Sequence, residues 1–146
     1  MNKDRTDLHM ICRQGDVDAI SQVCKKSPSL INEKDKGVIY SQLGWSPLYR
    51  ISASGNVRIA KILLSHGADP NIVNPQGEIP LHQSSKNSNY ELAEMLLFFS
   101  SDPNTQRQDG ETPLHISSSK GDSKMITILL ESDADPNIQN FTVLFI

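Results

Sequence analysis

An all-α solenoid of stacked helix–turn–helix units is the fold class this 146-residue sequence predicts, on three observations. A four-residue pattern recurs as Thr6-Asp7-Leu8-His9, Ser46-Pro47-Leu48-Tyr49, Ile79-Pro80-Leu81-His82 and Thr112-Pro113-Leu114-His115, and its last three copies start 33 residues apart. Gly44, Gly77 and Gly110 stand two residues ahead of those copies and keep the same step. Behind each copy come a short helical segment, a break and a second, more apolar segment. A fixed period of this length marks a repeat architecture, in which each unit buries its apolar face only against its neighbours. Chains of this kind hold other macromolecules on a surface and seldom enclose a reaction.

The units are expected at about 5–36, 44–76, 77–109 and 110–142 of a single domain, with an inserted loop at about 33–43. The first departs most from the pattern. It has Asp7 in place of proline, leaves its second helix through Ser27-Pro28-Ser29, and carries extra residues before Ser46. The second unit is the clearest. Ser46 is placed to cap a helix by accepting from the Tyr49 N–H, and Pro47 follows where a missing N–H costs nothing. Leu48, Ile51 and Ser52 share one helical face, and Gly55 ends the helix. A second helix is predicted from about Val57 to Ser65, stopped by Gly67, before Ala68-Asp69-Pro70-Asn71 turns the chain outward.

The third and fourth units copy this plan through Asp102-Pro103-Asn104 and Asp135-Pro136-Asn137, with second helices over about Tyr90–Phe99 and Ser123–Leu130. Asn74-Pro75-Gln76-Gly77 and Gln108-Asp109-Gly110 carry turn chemistry. Ser88 stands where a glycine should close the third unit's first helix. Each alanine-to-serine exchange in a helix costs about 0.5 kcal/mol of propensity. Ser84-Ser85 and Ser117-Ser118 therefore point to an array of modest stability, loosest in the third unit.

Thr/Ser-Pro-Leu-His, a glycine closing a short helix, an Ile/Leu-rich second helix, Gly-Ala-Asp-x-Asn and Asp-x-x-Gly together resemble the ankyrin repeat over almost the whole chain, about residues 5–142. The resemblance implies an L-shaped solenoid with paired antiparallel helices and projecting β-hairpin fingers. It also implies a concave side, formed by fingers and inner helices, that grips protein partners. The sequence departs from the family at Asp7, Ser88 and Ser100-Ser101, and at Ser84-Ser85 and Ser117-Ser118 where Ala-Ala is common. The last stretch, Phe141-Thr142-Val143-Leu144-Phe145-Ile146, does not read as a further finger, and the fourth outer helix looks like an internal one. Because solenoids need polar caps, a truncated or atypical end is expected here.

Composition narrows the function classes. A net charge of −3 and the absence of a long basic block speak against nucleic-acid binding. The longest apolar run, Met95–Phe99, is far short of the ~20 residues of a membrane span, so no membrane insertion is expected. The first residues lead into no apolar stretch of the secretory kind. The two cysteines, Cys12 and Cys24, fall in helices of the first unit, which suggests reduced, packed thiols and a cytoplasmic or nuclear setting. The sequon Asn140-Phe141-Thr142 is taken as chance.

Catalytic and metal readings fare poorly. His9, His82 and His115 occupy equivalent places, with Tyr49 in the fourth. Equivalent positions on stacked helices lie ~8–10 Å apart, whereas zinc ligands must come within ~2.3 Å of one ion. These side chains are instead expected to hydrogen-bond finger backbones. His9 stands three residues before Cys12, but a reactive thiol needs an accessible, electropositive setting. No G-x-S-x-G elbow and no phosphate-binding glycine loop is present, so no enzyme activity, metal or cofactor is expected.

A recognition surface is the better expectation. Finger tips should show Trp45, Glu78, Arg107 and Asp109, with Ile39 and Tyr40 in the inserted loop beside Val38. The exposed side of the inner helices should show Arg13, Arg50, Lys86 and Lys120, one cation per unit. Such a row suits an acidic or phosphorylated stretch of a protein partner, but four charges on separate units arise more readily as an ordinary solvated face. Trp45 is either an interface anchor or a ring lying over the neighbouring hairpin. The expected function is that of a monomeric, non-catalytic protein-binding module. The competing readings are an inhibitor occluding an enzyme such as a kinase, as small four-repeat ankyrin proteins similar to the cyclin-dependent-kinase inhibitors do, and the targeting domain of a longer enzyme.

Overall fold

The structure, a computed structural model, describes residues 7–36 and 44–141. Eight α-helices lie within them: α1 Leu8–Gln14, α2 Val17–Lys26, α3 Pro47–Ser54, α4 Val57–Ser65, α5 Pro80–Lys86, α6 Tyr90–Phe98, α7 Pro113–Lys120 and α8 Ser123–Glu131. A single 3₁₀ turn, Pro28–Leu30, follows α2. The odd-numbered helices pack in the series α1–α3–α5–α7 and the even-numbered ones in the series α2–α4–α6–α8. Each odd helix also packs on the even helix that follows it. Two parallel stacks of short helices result, which is the solenoid.

Capping chemistry sets the ends. Pro47, Pro80 and Pro113 each open an inner helix with a residue whose fixed φ is already helical. Asp7 cannot do this, so α1 begins one position later and Asp7 caps it, accepting from His9 N at 3.0 Å. Ser46 Oγ accepts from Tyr49 N at 3.1 Å, as its spacing predicts. The even helices begin on Asp16, Asn56, Asn89 and Asp122, whose side-chain oxygens accept from Ala19, Ile59, Leu92 and Met125.

The core is built in columns with the sequence's own period. Leu48, Leu81 and Leu114 form one, Ile59, Leu92 and Met125 a second, and Leu63, Leu96 and Leu129 a third, all buried. Each such side chain contributes ~1.5–3 kcal/mol by leaving water. The serines that replace alanine are treated unequally. Ser84 and Ser117 return their hydroxyls to the carbonyls of Pro80 and Pro113 at 3.3 and 3.0 Å. Ser85 and Ser101 have buried hydroxyls with no hydrogen-bond partner. Ser88 and Ser100, in the glycine positions, take left-handed backbone with φ of 51° and 68°.

The fingers follow a hairpin path in shortened form, with no strand among the described residues. Asn74 N donates to Glu78 O and Gly77 N to Asn74 O, each at 2.9 Å. The same pair of bonds recurs at Arg107–Glu111 and Gly110–Arg107, at 2.9 and 2.8 Å. Successive fingers touch through Gln108 N to Gln76 O at 2.9 Å and Phe141 N to Asp109 O at 2.8 Å. Gly77 has a φ of 77°, and a β-carbon there would lie 3.3 Å from the backbone of Arg107 and Gln108. The periodic glycine is thus a contact point between fingers as well as a turn residue.

A second periodic tie escapes the motif reading. Asn32, Asn71 and Asn104 each accept from the backbone N–H of the next unit's turn, at Asp69 (2.8 Å), Asp102 (2.7 Å) and Asp135 (2.7 Å). Asn71 and Asn104 also donate to Ser100 O and Asp133 O at 3.0 and 3.2 Å. The Asp-Pro-Asn turns, read in sequence only as outward bends, are clasps between units.

Candidate protein-binding surface

The fingers and the inner helices meet along one side, where the sequence places its recognition residues. Ile39 and Tyr40, with Val38, lie outside the described residues. The remaining candidates divide into exposed groups and internal braces.

Arg50 is a brace. It stands on α3, only 8% exposed, where an exposed cation was expected. Its guanidinium donates to Asp35 Oδ2 at 2.6 Å and to His9 Nδ1 at 3.4 Å. Its Cζ also lies 5.9 Å from the centre of the Trp45 ring. The reason is the first finger, which folds its Asp35 back over the start of α3 through Asp35 N to Trp45 O at 2.8 Å. A buried cation needs a partner carboxylate, and Asp35 supplies it.

Glu78 is a second brace, 6% exposed where a finger-tip position was expected. Asn74 Oδ1 holds its backbone N–H at 2.9 Å, turning the side chain inward. Tyr49 OH donates to Glu78 Oε2 at 2.6 Å. Arg107 donates to Oε1 at 2.9 Å, and Lys86 forms an ion pair with the same oxygen. Gln83 Nε2 donates to Tyr49 OH at 2.6 Å. Burial pushes the Glu78 carboxyl's pKa upward, but the hydrogen bonds from Lys86, Tyr49 and Arg107 outweigh it and hold the value at about 2. The Tyr49 hydroxyl is raised well above its usual range, first by burial and then by donating to Glu78.

Arg107 extends the network across the next finger, donating to Asp109 Oδ1 at 3.0 Å and Glu111 Oε2 at 2.5 Å. Lys120 donates to the Lys86 carbonyl at 2.6 Å and to Ser88 Oγ at 2.8 Å, tying α7 to the end of α5. The expected row of one cation per unit is therefore interrupted. Arg50 is buried, and Lys86 is turned onto Glu78. Arg13 and Lys120 remain exposed, and Asp109 presents a side chain 54% exposed.

Trp45 is half-buried. Its ring meets Tyr49 edge-on, with centroids 4.7 Å apart and an interplanar angle of 71°. It lies over its own helix start, with part of its surface open beside the first finger.

The histidine column behaves as its spacing suggests in two of three places. His82 Nδ1 accepts from Ile79 N at 3.0 Å, and its Nε2 lies 3.2 Å from Glu111 O in the next finger. His9 Nε2 lies 2.7 Å from Glu33 O. His115 Nδ1 accepts from Thr112 N at 3.1 Å. Tyr49, in the same column, reaches a carboxylate in place of a backbone carbonyl. That exchange of histidine for tyrosine, paired with a glutamate at position 78, is the one signal in the sequence that points to the Glu78 network.

Cys12 and Cys24 are both buried and unbridged. Burial pushes the Cys12 thiol up to about 12. Among the described residues, no cluster of His, Cys, Asp and Glu has the geometry of a metal site, and no helix is long and apolar enough to cross a membrane.

Comparison with known proteins agrees with this architecture. Models of ankyrin repeats in several copies match residues 48–97 and 81–146. The human DNA-binding protein RFXANK is 31% identical over 75 residues, 51% of this chain and 26% of that protein. The human NAD-capped RNA hydrolase NUDT12 is 33% identical over 69 residues, 47% of this chain and 14% of that protein. The mouse 2-5A-dependent ribonuclease is 33% identical over 69 residues, 9% of its length. The chain thus spans about a quarter or less of the curated relatives it matches. With its period, its paired helices, its stacked fingers and both family models in agreement, this chain belongs to the ankyrin-repeat family.

Proposed function

We propose that the chain is a non-catalytic module that binds a protein partner across its fingers and inner helices, in the cytosol or nucleus. The observation that carries this reading is the rigid bracing of the fingers. Glu78 joins units two and three through Tyr49, Lys86 and Arg107, and Arg107 carries the tie on to Glu111 of unit four, so the surface is ordered before a partner arrives. A surface already ordered loses less conformational entropy on binding. Trp45 supplies a half-open aromatic anchor, while Arg13, Lys120 and Asp109 supply charged contacts around it. Arg50 and Glu78 act from beneath, and the acidic or phosphorylated partner segment loses two of the four cations that suggested it.

A second reading is favoured by the relatives. Two of the three named above are, by name, a hydrolase and a ribonuclease, and the match occupies a small part of each. The repeats of this chain would then serve to bring an enzyme to its target.

The test is affinity capture from lysate with three folded baits: the native chain, Trp45→Ala, and Asp109→Lys with Lys120→Glu. A protein held by the native bait and lost from both variants supports the finger-side surface. Equal capture by all three contradicts it.

A further inference from the structure

The outer helices carry an aromatic that the repeat does not require. Phe98, in the last turn of α6, is 83% exposed and meets Phe99 edge-on with ring centroids 5.4 Å apart. One unit earlier, 33 residues back, the same position holds Ser65, and one unit later it holds Glu131. A single exposed phenylalanine is ordinary; what makes Phe98 a contact candidate is that it stands on the rim of a partly apolar groove. Beside it runs a shallow groove of about 290 Å³ between α6 and α8, lined by Glu94, Leu97, Phe98, Ile128, Glu131 and Ser132.

The groove's charges are arranged as well. Glu94 lies four residues before Phe98, one turn back on the same face, and Glu131 lies three after Ile128. Each wall therefore ends in a carboxylate beside an apolar side chain. Both carboxylates are exposed, and neither has a cation or hydrogen-bond donor against it among the described residues. In the second unit the positions of Glu94 and Phe98 are held by Lys61 and Ser65, so that unit lacks this acidic–apolar pairing.

We propose that this outer groove is a second docking site, distinct from the finger side, for a protein segment that presents an apolar side chain flanked by lysine or arginine. The apolar group packs against Phe98, Leu97 and Ile128, and the flanking cations meet Glu94 and Glu131. Charge complementarity selects this occupant: an acidic segment would be repelled from both walls, and a second copy of this chain would bring carboxylate against carboxylate.

The test is selection of random 12-residue peptides displayed on phage against the native chain, with counter-selection on Phe98→Ala. A second variant, Glu94→Lys with Glu131→Lys, is used for binding measurements. At 83% exposure, Phe98 can be truncated without loss of core, which circular dichroism would verify. The expected result is a set of Phe98-dependent clones with an apolar residue between basic ones. They should bind at least about tenfold more weakly to Phe98→Ala, and bind less tightly still to the charge-reversed chain. Failure to enrich any Phe98-dependent clone overturns the proposal. So do Phe98-dependent clones without basic residues, and so does sedimentation showing that the native chain dimerises through Phe98.

Discussion

Tyr49 and Glu78 sit 29 residues apart in sequence and share a hydrogen bond of 2.6 Å in the buried seam between the second and third units. The tyrosine occupies a column otherwise held by histidine, and the glutamate stands in a finger. Together with Lys86 and Arg107 they convert what looks like an interface charge pattern into a support for the fingers.

Acid should unravel that support selectively. The folded-state pKa of Glu78, about 2, lies below its ordinary 4.5, so the folded protein binds fewer protons there than the unfolded chain does. Stability from this site is complete above about pH 4.5 and is lost as pH falls towards about 2. At about 1.4 kcal/mol per pKa unit, the loss is up to about 3 kcal/mol. Urea midpoints measured at pH 6, 4 and 3 should fall more steeply for the native chain than for Glu78→Gln. Identical slopes would remove Glu78 from the acid response.

The serines of the third unit offer gains in stability. Ser85→Ala removes a buried hydroxyl that has no partner and restores helix propensity, and should stabilise by about 1 kcal/mol. Ser84→Ala, whose hydroxyl is bonded to Pro80, should lie nearer neutral. Thermal unfolding of the two variants should separate them, and equal melting temperatures would contradict the difference.

Left-handed backbone at Ser100 gives a related expectation. An L-residue pays ~1–2 kcal/mol in that region, while glycine pays mainly in unfolded-state entropy. Ser100→Gly should therefore stabilise by about 0.5–1 kcal/mol in urea, and a loss of stability would show that the serine is not strained.

Gly77→Ala should do the reverse. Its positive φ and a β-carbon 3.3 Å from the Arg107 backbone combine to destabilise the array by about 1–2 kcal/mol or more. Hydrogen exchange should report this as faster exchange at Gln108, whose amide donates to Gln76 O in the neighbouring finger. Unchanged protection there would argue against finger stacking through Gly77.

Much of the fold was legible because its causes are local and periodic. Ser46 caps the Tyr49 N–H, α4 runs from Val57 to Ser65, and the leucine columns repeat at the sequence's own step. Helices α6 and α8 differ from the predicted segments by one residue at their ends. The surface was less legible because side-chain direction depends on distant partners. Arg50 reads as an outward cation until Asp35 folds over it, and Glu78 reads as a finger tip until Asn74 turns it inward. Asn71 and Asn104 repeat at the same 33-residue step, but their partners lie in the next unit, so sequence shows a turn and not the clasp; Phe98 breaks the repeat and has no periodic signal.

The most direct test of the bracing is a double-mutant cycle in urea with Tyr49→Phe, Glu78→Gln and the pair. Buried, charge-assisted hydrogen bonds of this kind couple by about 1–3 kcal/mol, so the double variant should be less destabilised than the sum of the singles by about that amount. Additivity within about 0.5 kcal/mol would mean that Tyr49 and Glu78 act independently, and that the fingers owe their order to something else.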